Sequence, residues 1–179
     1  IKAPIAFSGF SRRSRSSFSS SGSGRARRSG SLGGADRERR RVAGVLADAG
    51  VIRVDAERAV ECGLSRVFYP HGLGHFLGLQ VHDVAGLIDN EGVPIPRPEG
   101  HPALRLTRVL ETGNVLTVEP GLYFIDTLLG KWRADGDASL VDWGRVEVLR
   151  PYGGIRIEDN VLVLDDGCDG LTRRAFAEL

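Results

Sequence analysis

Three of the chain's four histidines lie in one glycine-rich stretch, residues 70–86. They are His71, His75 and His82. Each glycine between them costs up to about 1 kcal/mol in a helix relative to alanine, so the stretch is predicted to be looped or extended chain. Imidazole is the commonest protein ligand for metals and carries protons near neutral pH. The cluster therefore favours a metal or acid–base site, whereas one isolated histidine would more often be an ordinary core residue.

Two glutamates stand in strand-like apolar runs. Glu119 follows the run of residues 115–118 just before a proline, and Glu158 lies two residues after Arg156. A charge in an apolar strand is costly unless it is paired or bound to a metal. For Glu158 an ion pair with Arg156 is an equally good explanation, because a period of two places both side chains on one face of a strand.

The elements that would position these groups begin with helices. The spacing of apolar residues predicts a helix over residues 37–49, ended by Gly50. Asp55 is predicted to cap a second helix over residues 56–62. Residues 67–69 are predicted to form a short apolar strand that leads into the histidines.

A loop and several strands follow the histidines. Residues 87–103 contain four prolines and are predicted to form a long loop at the rim of the site. Strands are predicted over residues 115–119, 122–125 and 155–163, and residues 171–179 are predicted to end as a short helix. Residues 126–145 give no firm assignment. Strands mixed with helices, without regular alternation, predict an α+β fold with an antiparallel sheet.

The charge of the chain changes near its start. Residues 1–41 carry eleven Lys or Arg against two acids, about +9, and the remainder carries about −8. Residues 1–37 are rich in Ser, Arg and Gly and are predicted to be disordered. A phosphate-binding basic arm, an organelle transit segment and a shifted reading frame remain open as explanations. Residues 38–179 are predicted to be the globular part, and the start at Ile1 without any methionine predicts a fragment.

Composition also limits the cellular setting. No apolar run approaches the length of a membrane span, so no membrane partner is expected. Cys62 and Cys168 form neither a disulfide framework nor a metal motif, and two reduced thiols in a cytoplasmic protein are expected. Aromatic residues are sparse in the basic arm, which makes a nucleic-acid partner a weak hypothesis.

Three motifs occur in a family-specific order: His-Gly-Leu-Gly-His-Phe-Leu-Gly-Leu-Gln-Val-His-Asp-Val-Ala-Gly over residues 71–86, Leu-Thr-Val-Glu-Pro-Gly-Leu-Tyr-Phe-Ile over 116–125, and Gly-Gly-Ile-Arg-Ile-Glu-Asp-Asn over 153–160. Together they resemble the signature of the Xaa-Pro dipeptidases, or prolidases. That family shares the pita-bread fold of creatinase and methionine aminopeptidase. The resemblance implies that residues 38–179 are the C-terminal part of such a catalytic domain, with an antiparallel sheet flanked by helices.

The resemblance also implies roles for individual residues. His75, Glu119 and Glu158 match metal ligands, and Glu119 would also take the proton of the attacking water. His71 and His82 match histidines that orient ligands and stabilise the tetrahedral intermediate. These roles make Glu119, His71 and His82 the expected catalytic residues.

The substrate subsite follows from the same resemblance. Arg105 and Arg156 match arginines that bind the C-terminal carboxylate of the dipeptide, a task that suits the planar guanidinium, and His82 would also contact the substrate. The implied substrate is an X-Pro dipeptide. In the full-length protein a homodimer is expected.

The implied cofactor is a pair of Mn²⁺ ions, with Co²⁺ or Zn²⁺ as alternatives. The family takes two further aspartate ligands from a segment that this chain does not match. We therefore expect one ion at best to bind, weakly, with little or no dipeptidase activity from this chain alone.

Two alternatives remain at this stage. One is a non-catalytic pita-bread module that binds protein or nucleic acid through the basic arm. The other is aminopeptidase P, which shares the metal pattern and cleaves longer peptides. The residues around Gln80 and Phe124 resemble the dipeptidase more closely.

Overall fold

The computed structural model of the chain describes the backbone of residues 30–179 and the side chains from residue 36 onward. Helix α1 covers Gly30–Asp48, so it begins earlier than the sequence predicts. Gly50, at φ +67°, ends the turn that follows α1, in the left-handed conformation that glycine adopts without strain. Most of the segment predicted to be disordered, residues 1–29, lies outside the described part.

Two short helices follow α1. Helix α2 (Ala56–Glu61) is capped as predicted, because the side chain of Asp55 accepts a hydrogen bond from the amide of Arg58 at 2.8 Å. Helix α3 (Ser65–Phe68) replaces the strand predicted at residues 67–69, and that prediction is wrong. A short apolar run fits a buried helical turn as well as a strand, and here contact with α1 and α2 decides.

The region without a firm assignment is largely helical. Helix α4 (Asp126–Asp135) and helix α5 (Trp143–Leu149) are separated by a short 3₁₀ helix at Ala138–Leu140. Asp142 caps α5 by accepting from the amide of Arg145 at 2.9 Å. The main core lies among the helices, and its fully buried large side chains include Leu46, Val51, Leu64, Phe68, Tyr69, Val141 and Val146.

Two antiparallel sheets make up the other half. Strands β1 (Val115–Val118), β4 (Asp159–Leu164) and β5 (Gly167–Gly170) form one sheet in the order β1-β4-β5. Strands β2 (Gly121–Tyr123) and β3 (Gly154–Arg156) form the second. The α+β prediction with antiparallel pairing is confirmed.

The two sheets meet at a shared corner. The chain bends between β1 and β2 at Glu119–Pro120 and between β3 and β4 at Ile157–Glu158, and the two bends face one another. The amide of Ile157 donates to the Pro120 carbonyl at 3.1 Å, whereas Pro120 has no amide hydrogen to return. The continuous strand predicted over residues 155–163 is therefore two strands. Both glutamates selected from the sequence lie at this corner.

The chain ends in helix α6 (Leu171–Ala177), as predicted, packed against β4. Residues 88–114, here called the rim loop, form no regular strand apart from a single bridge between Ile88 and Pro94, so the loop predicted over residues 87–103 extends further along the chain. None of the helices in the described part is long and apolar enough to cross a membrane.

Candidate functional site

The histidine stretch runs as an irregular extra strand along β1. The carbonyl of His75 accepts from the amide of Thr117 at 2.9 Å, and the carbonyl of Leu73 accepts from the amide of Glu119 at 2.6 Å. A bridge between Phe76 and Leu116 continues this pairing. The pairing fixes the position of His75 beside Glu119, although the two lie far apart in sequence.

His75 and Glu119 form a buried pair. The Nε2 atom of His75 lies 3.0 Å from Oε1 of Glu119, and the side chains are 5% and 8% exposed. Nδ1 of His75 lies 3.0 Å from the carbonyl oxygen of Phe76, which can only accept, so Nδ1 carries the hydrogen. Two lone pairs then face each other across the His75–Glu119 contact unless a proton or a metal ion lies between them. A ring whose Nδ1 hydrogen is held by a carbonyl is typical of metal-binding histidines.

Thr117 connects the two members of this pair. Its hydroxyl donates to Oε1 of Glu119 and accepts from the amide of His75 at 3.1 Å. Space for this contact depends on Gly74, where a Cβ atom would lie 1.9 Å from the carbonyl oxygen of Thr117. The approach of the histidine stretch to β1 therefore requires glycine at this position.

Arg156 lies between the two glutamates. Its NH1 atom is 3.1 Å from Oε2 of Glu119 and 3.8 Å from Oε2 of Glu158. The ion pair between Arg156 and Glu158 considered from the sequence is thus present, and Arg156 also pairs with Glu119. Glu158 is 45% exposed, in contrast to the buried Glu119.

A hydrogen-bond chain extends from Arg156 to His71. Nε of Arg156 donates to the Tyr123 hydroxyl at 2.7 Å, and that hydroxyl lies 2.9 Å from Nε2 of His71. Nδ1 of His71 must carry a hydrogen, because it lies 2.7 Å from the carbonyl of Gly72. The tyrosine therefore donates to His71. The hydrogen bond to Tyr123 raises the pKa of Arg156 and keeps it charged.

His82 lies at the edge of this group. Its ring is exposed and stands edge-on to the ring of His75, with centroids 4.3 Å apart. The amide of the next residue, Asp83, donates to the carbonyl of Phe76 at 3.1 Å and turns the chain back toward His75. His82 is thus near His75 but open to solvent.

Arg105 is the predicted residue that the structure does not bring to the group. Its side chain is exposed and makes no hydrogen bond or ion pair within the described residues. Its carbonyl oxygen lies close to Gly86, where a Cβ would approach it to 2.7 Å. The backbone of Arg105 is therefore packed against the end of the histidine stretch, while its side chain is free.

Sequence reasoning missed two contributors. Thr117 lies two residues before Glu119, so the period of two in a strand could have placed it on the same face. Tyr123 has no comparable signal, because its link to His71 and Arg156 arises from the corner between the sheets.

The donor groups fit a divalent cation in kind. Carboxylate and imidazole suit hard to borderline ions such as Mn²⁺, Co²⁺ or Zn²⁺. The bare Nε2 of His75 and the buried carboxylate of Glu119 already face one another. Over the residues with described side chains, however, no three His, Cys, Asp or Glu groups converge closely enough to hold an ion. Arg156 lies between Glu158 and the buried pair.

Comparison with known proteins covers most of the described chain. Residues 39–165 match the family model of metallopeptidase family M24. The chain is 59% identical over 135 residues to an Xaa-Pro dipeptidase of Stenotrophomonas maltophilia and 56% identical over 135 residues to one of Xanthomonas oryzae. These matches cover 75% of this chain but only 30% and 31% of those proteins.

Solved structures give a related picture. Aminopeptidase P from Escherichia coli with the inhibitor Pro-Leu is similar at a TM-score of 0.52 and 31% identity, over 78% of this chain and 25% of that one. Proline aminopeptidase P II from Yersinia pestis is similar at a TM-score of 0.51 and 32% identity, over the same shares. The chain thus spans roughly a quarter to a third of the length of the proteins it matches.

Proposed function

The chain belongs to metallopeptidase family M24, and we propose that residues 38–179 are the C-terminal part of the catalytic domain of an Xaa-Pro dipeptidase. The described fold is part of the pita-bread fold of that family. The observation that carries the proposal is the contact between His75 and Glu119, 3.0 Å apart and buried, which joins two of the three sequence motifs. The substrate would be an X-Pro dipeptide.

His75, Glu119 and Glu158 would hold the metal, for which we propose Mn²⁺. A bound divalent ion lowers the pKa of water and polarises the scissile carbonyl. Because this chain does not match the segment that supplies two further aspartate ligands in the family, we expect this chain alone to bind one ion weakly and to show little activity.

The chain's own residues would do the remaining work. Glu119 takes a proton at Oε2, the oxygen that Arg156 contacts, when that arginine turns to the substrate; Oε1 stays bonded by the buried Thr117. His82, exposed beside His75, stabilises the tetrahedral intermediate by donating a hydrogen bond. His71, with both ring nitrogens bonded to Gly72 and Tyr123, contributes by holding Tyr123 and Arg156 in place.

The arginines would fix the substrate. Arg156 is charged and partly exposed, so its guanidinium can bind the dipeptide carboxylate in bidentate fashion. Arg105, exposed on the rim loop, would be the second arginine of this subsite. Full recognition depends on parts of the relatives that this chain does not match.

Aminopeptidase P is the alternative, favoured by the similarity to its solved structures. The higher identity to the dipeptidases, 59% against 31%, supports the dipeptidase. The full-length enzyme would be a homodimer in the cytoplasm, a setting consistent with the unpaired Cys62 and Cys168.

A chimera tests the proposal. Residues 39–179 would replace the matching segment of the Stenotrophomonas maltophilia dipeptidase, and hydrolysis of Gly-Pro and of an X-Pro-Y tripeptide would be measured with Mn²⁺. We expect hydrolysis of the dipeptide only. Cleavage of the tripeptide alone would favour aminopeptidase P, and a folded chimera that cleaves neither peptide would overturn the proposal.

A further inference from the structure

The fourth histidine lies away from the site, in a buried contact with an arginine. His101 and Arg39 are 6% and 4% exposed, and NH1 of Arg39 is 2.6 Å from Nδ1 of His101. Arg39 belongs to α1 and His101 to the rim loop. The contact therefore ties the rim loop to the helical layer.

His101 lies within a closed segment of the rim loop, residues 97–104, here called the anchor loop. Nε of Arg97 donates to the carbonyl of Leu104 at 2.5 Å and closes the segment. Inside it, the amide of His101 donates to the carbonyl of Pro98 at 3.1 Å, and the amide of Leu104 donates to the carbonyl of His101 at 3.2 Å. The position of His101 thus fixes the position of Leu104.

Leu104 connects the anchor loop to the candidate site. It is 6% exposed and packs on Gly72, where an added Cβ would lie 3.3 Å from the Cα of Leu104. Gly72 is the residue whose carbonyl accepts from His71. Arg105 follows Leu104 directly, so the anchor loop determines the position of the Arg105 backbone at the rim of the site.

The contact requires a neutral imidazole. A guanidinium can only donate, so Nδ1 of His101 must be a bare acceptor and its hydrogen must sit on Nε2. Nε2 faces Oδ1 of Asp36 at 3.8 Å, and Oδ1 of Asp36 is also 3.8 Å from NH1 of Arg39. From α3, Arg66 lies against Gly100 of the anchor loop. Two cations and one carboxylate therefore face the imidazole.

We propose that His101 is a positioning residue whose neutral imidazole, bonded to Arg39, holds the anchor loop and Arg105 at the rim of the site, and whose protonation releases that loop. A proton on Nδ1 would place an imidazolium against the Arg39 guanidinium and remove the only acceptor that the contact has. The loop would then lose its link to α1. The attachment itself does not depend on the proposed peptidase function.

The direction of the pH effect follows from the surroundings. Burial and the positive charges of Arg39 and Arg66 lower the pKa of His101 below its ordinary value of 6.5, and Asp36 opposes this only in part. An unfolded chain would bind the proton at about pH 6.5. The contact therefore stabilises the fold fully above that pH and is lost as the pH falls through the lower pKa of the folded state.

Hydrogen exchange of backbone amides tests the release. Protection factors of the His101 and Leu104 amides would be measured in the full chain at about pH 7.5 and about pH 5, with the amides of helix α5 as an internal control. We expect protection in the anchor loop to fall about ten-fold at the lower pH while α5 is unchanged. Equal loss in both regions, or no loss in the loop, would overturn the proposal.

Variants separate the proton from the packing. In His101→Asn the side-chain oxygen can take the place of Nδ1 without titrating, so the loop should stay protected at both pH values. In Arg39→Met the loop should be unprotected at both. A His101→Asn variant that loses protection at low pH as the wild type does would contradict the assignment, even if Arg39→Met fails to fold.

A kinetic measurement examines the link to Arg105, and this step rests on the proposed function. In the chimera, KM for Gly-Pro should rise about ten-fold below about pH 6 with kcat following its usual profile, and His101→Asn should remove the KM change. A flat KM together with positive hydrogen exchange would refute the link to Arg105 and leave the loop attachment intact.

Discussion

At the residue scale, the site depends on how one carboxylate is shared. Glu119 faces His75 and Thr117 with one oxygen and Arg156 with the other, so each oxygen of this buried group accepts a hydrogen bond. A buried carboxylate held in this way keeps its orientation without solvent. This orientation distinguishes Glu119 from the exposed Glu158.

Thr117 offers a direct test of that orientation. Thr117→Val should lower the free energy of unfolding by about 1–3 kcal/mol, because it leaves the His75 amide and a Glu119 oxygen without a partner. Thr117→Ser, which keeps the hydroxyl, should retain most of the stability. Urea denaturation of both variants measures the difference. A loss from Ser equal to that from Val would show that the methyl group contributes as much as the hydroxyl and would contradict the special role of the hydroxyl.

Glu119→Gln tests the proposed proton transfer. In the chimera, kcat for Gly-Pro should fall about 100-fold or more, because an amide cannot accept the proton. Glu147→Gln on the exposed face of α5 is the matched control and should leave kcat unchanged. Activity of Glu119→Gln within a few-fold of the parent chimera would exclude Glu119 as the base.

Single residues were predictable where their motif was local. The sequence predicts that His75, Glu119 and Glu158 share one site; the structure brings His75 and Glu119 into contact and places Arg156 between Glu119 and Glu158. The role of His101 was not, because its partner Arg39 lies 62 positions away and no periodicity connects them. Contacts of this kind arise from the packing of elements, which the local pattern does not encode.

At the element scale, the close approach of the histidine stretch to β1 depends on Gly74. Gly74→Ala should destabilise the chain by about 3 kcal/mol or prevent folding, because its Cβ would overlap the carbonyl of Thr117. The control is Gly130→Ala on α4, where nothing lies within 4 Å of the added atom. That variant should gain about 0.5–1 kcal/mol. Equal behaviour of both in urea denaturation would show that the two segments can separate at little cost.

The helix caps belong to the same scale. Asp55→Ala should cost about 1 kcal/mol, since it removes the acceptor for the Arg58 amide at the start of α2. Asp55→Asn keeps an acceptor and should cost less. Thermal unfolding of both variants checks this, and a larger loss from Asn than from Ala would contradict the capping role.

Elements with their own signals were predicted well, and those decided by packing were not. Asp55 and Gly50 marked the helix boundaries correctly because capping and positive φ are local effects. The strand expected at residues 67–69 is helical because its neighbours bury it. The break in the strand predicted over residues 155–163 could not be predicted from that run itself, because it follows from Pro120 on the neighbouring segment of the same chain.

At the scale of the whole molecule, burial of apolar side chains differs between the helical part and the sheets. The helices enclose the main cluster, whereas several apolar side chains of the sheet and α6 remain exposed, including Ile155 at 64% and Phe176 at 70%. The chain matches only about 30% of the length of its dipeptidase relatives. Exposed apolar side chains on β3 and α6 are consistent with that share.

These exposed apolar side chains predict binding of a hydrophobic dye. The double variant Ile155→Thr with Phe176→Ser should reduce dye fluorescence clearly while changing the free energy of unfolding by no more than about 0.5 kcal/mol. A loss of more than about 1 kcal/mol would mean that these side chains pack against the rest of the chain.

The position of Arg156 has one more consequence. Its guanidinium neutralises Glu119 in the absence of any other cation, so the acid is never left as a naked buried charge. The guanidinium of Arg156 cannot bind a peptide carboxylate and Glu119 at full strength together. An incoming carboxylate therefore competes with Glu119 for Arg156. We expect a bound substrate carboxylate to draw the Arg156 side chain away from Glu119 and leave that glutamate free. Arg156 would thus cover Glu119 until the substrate displaces it.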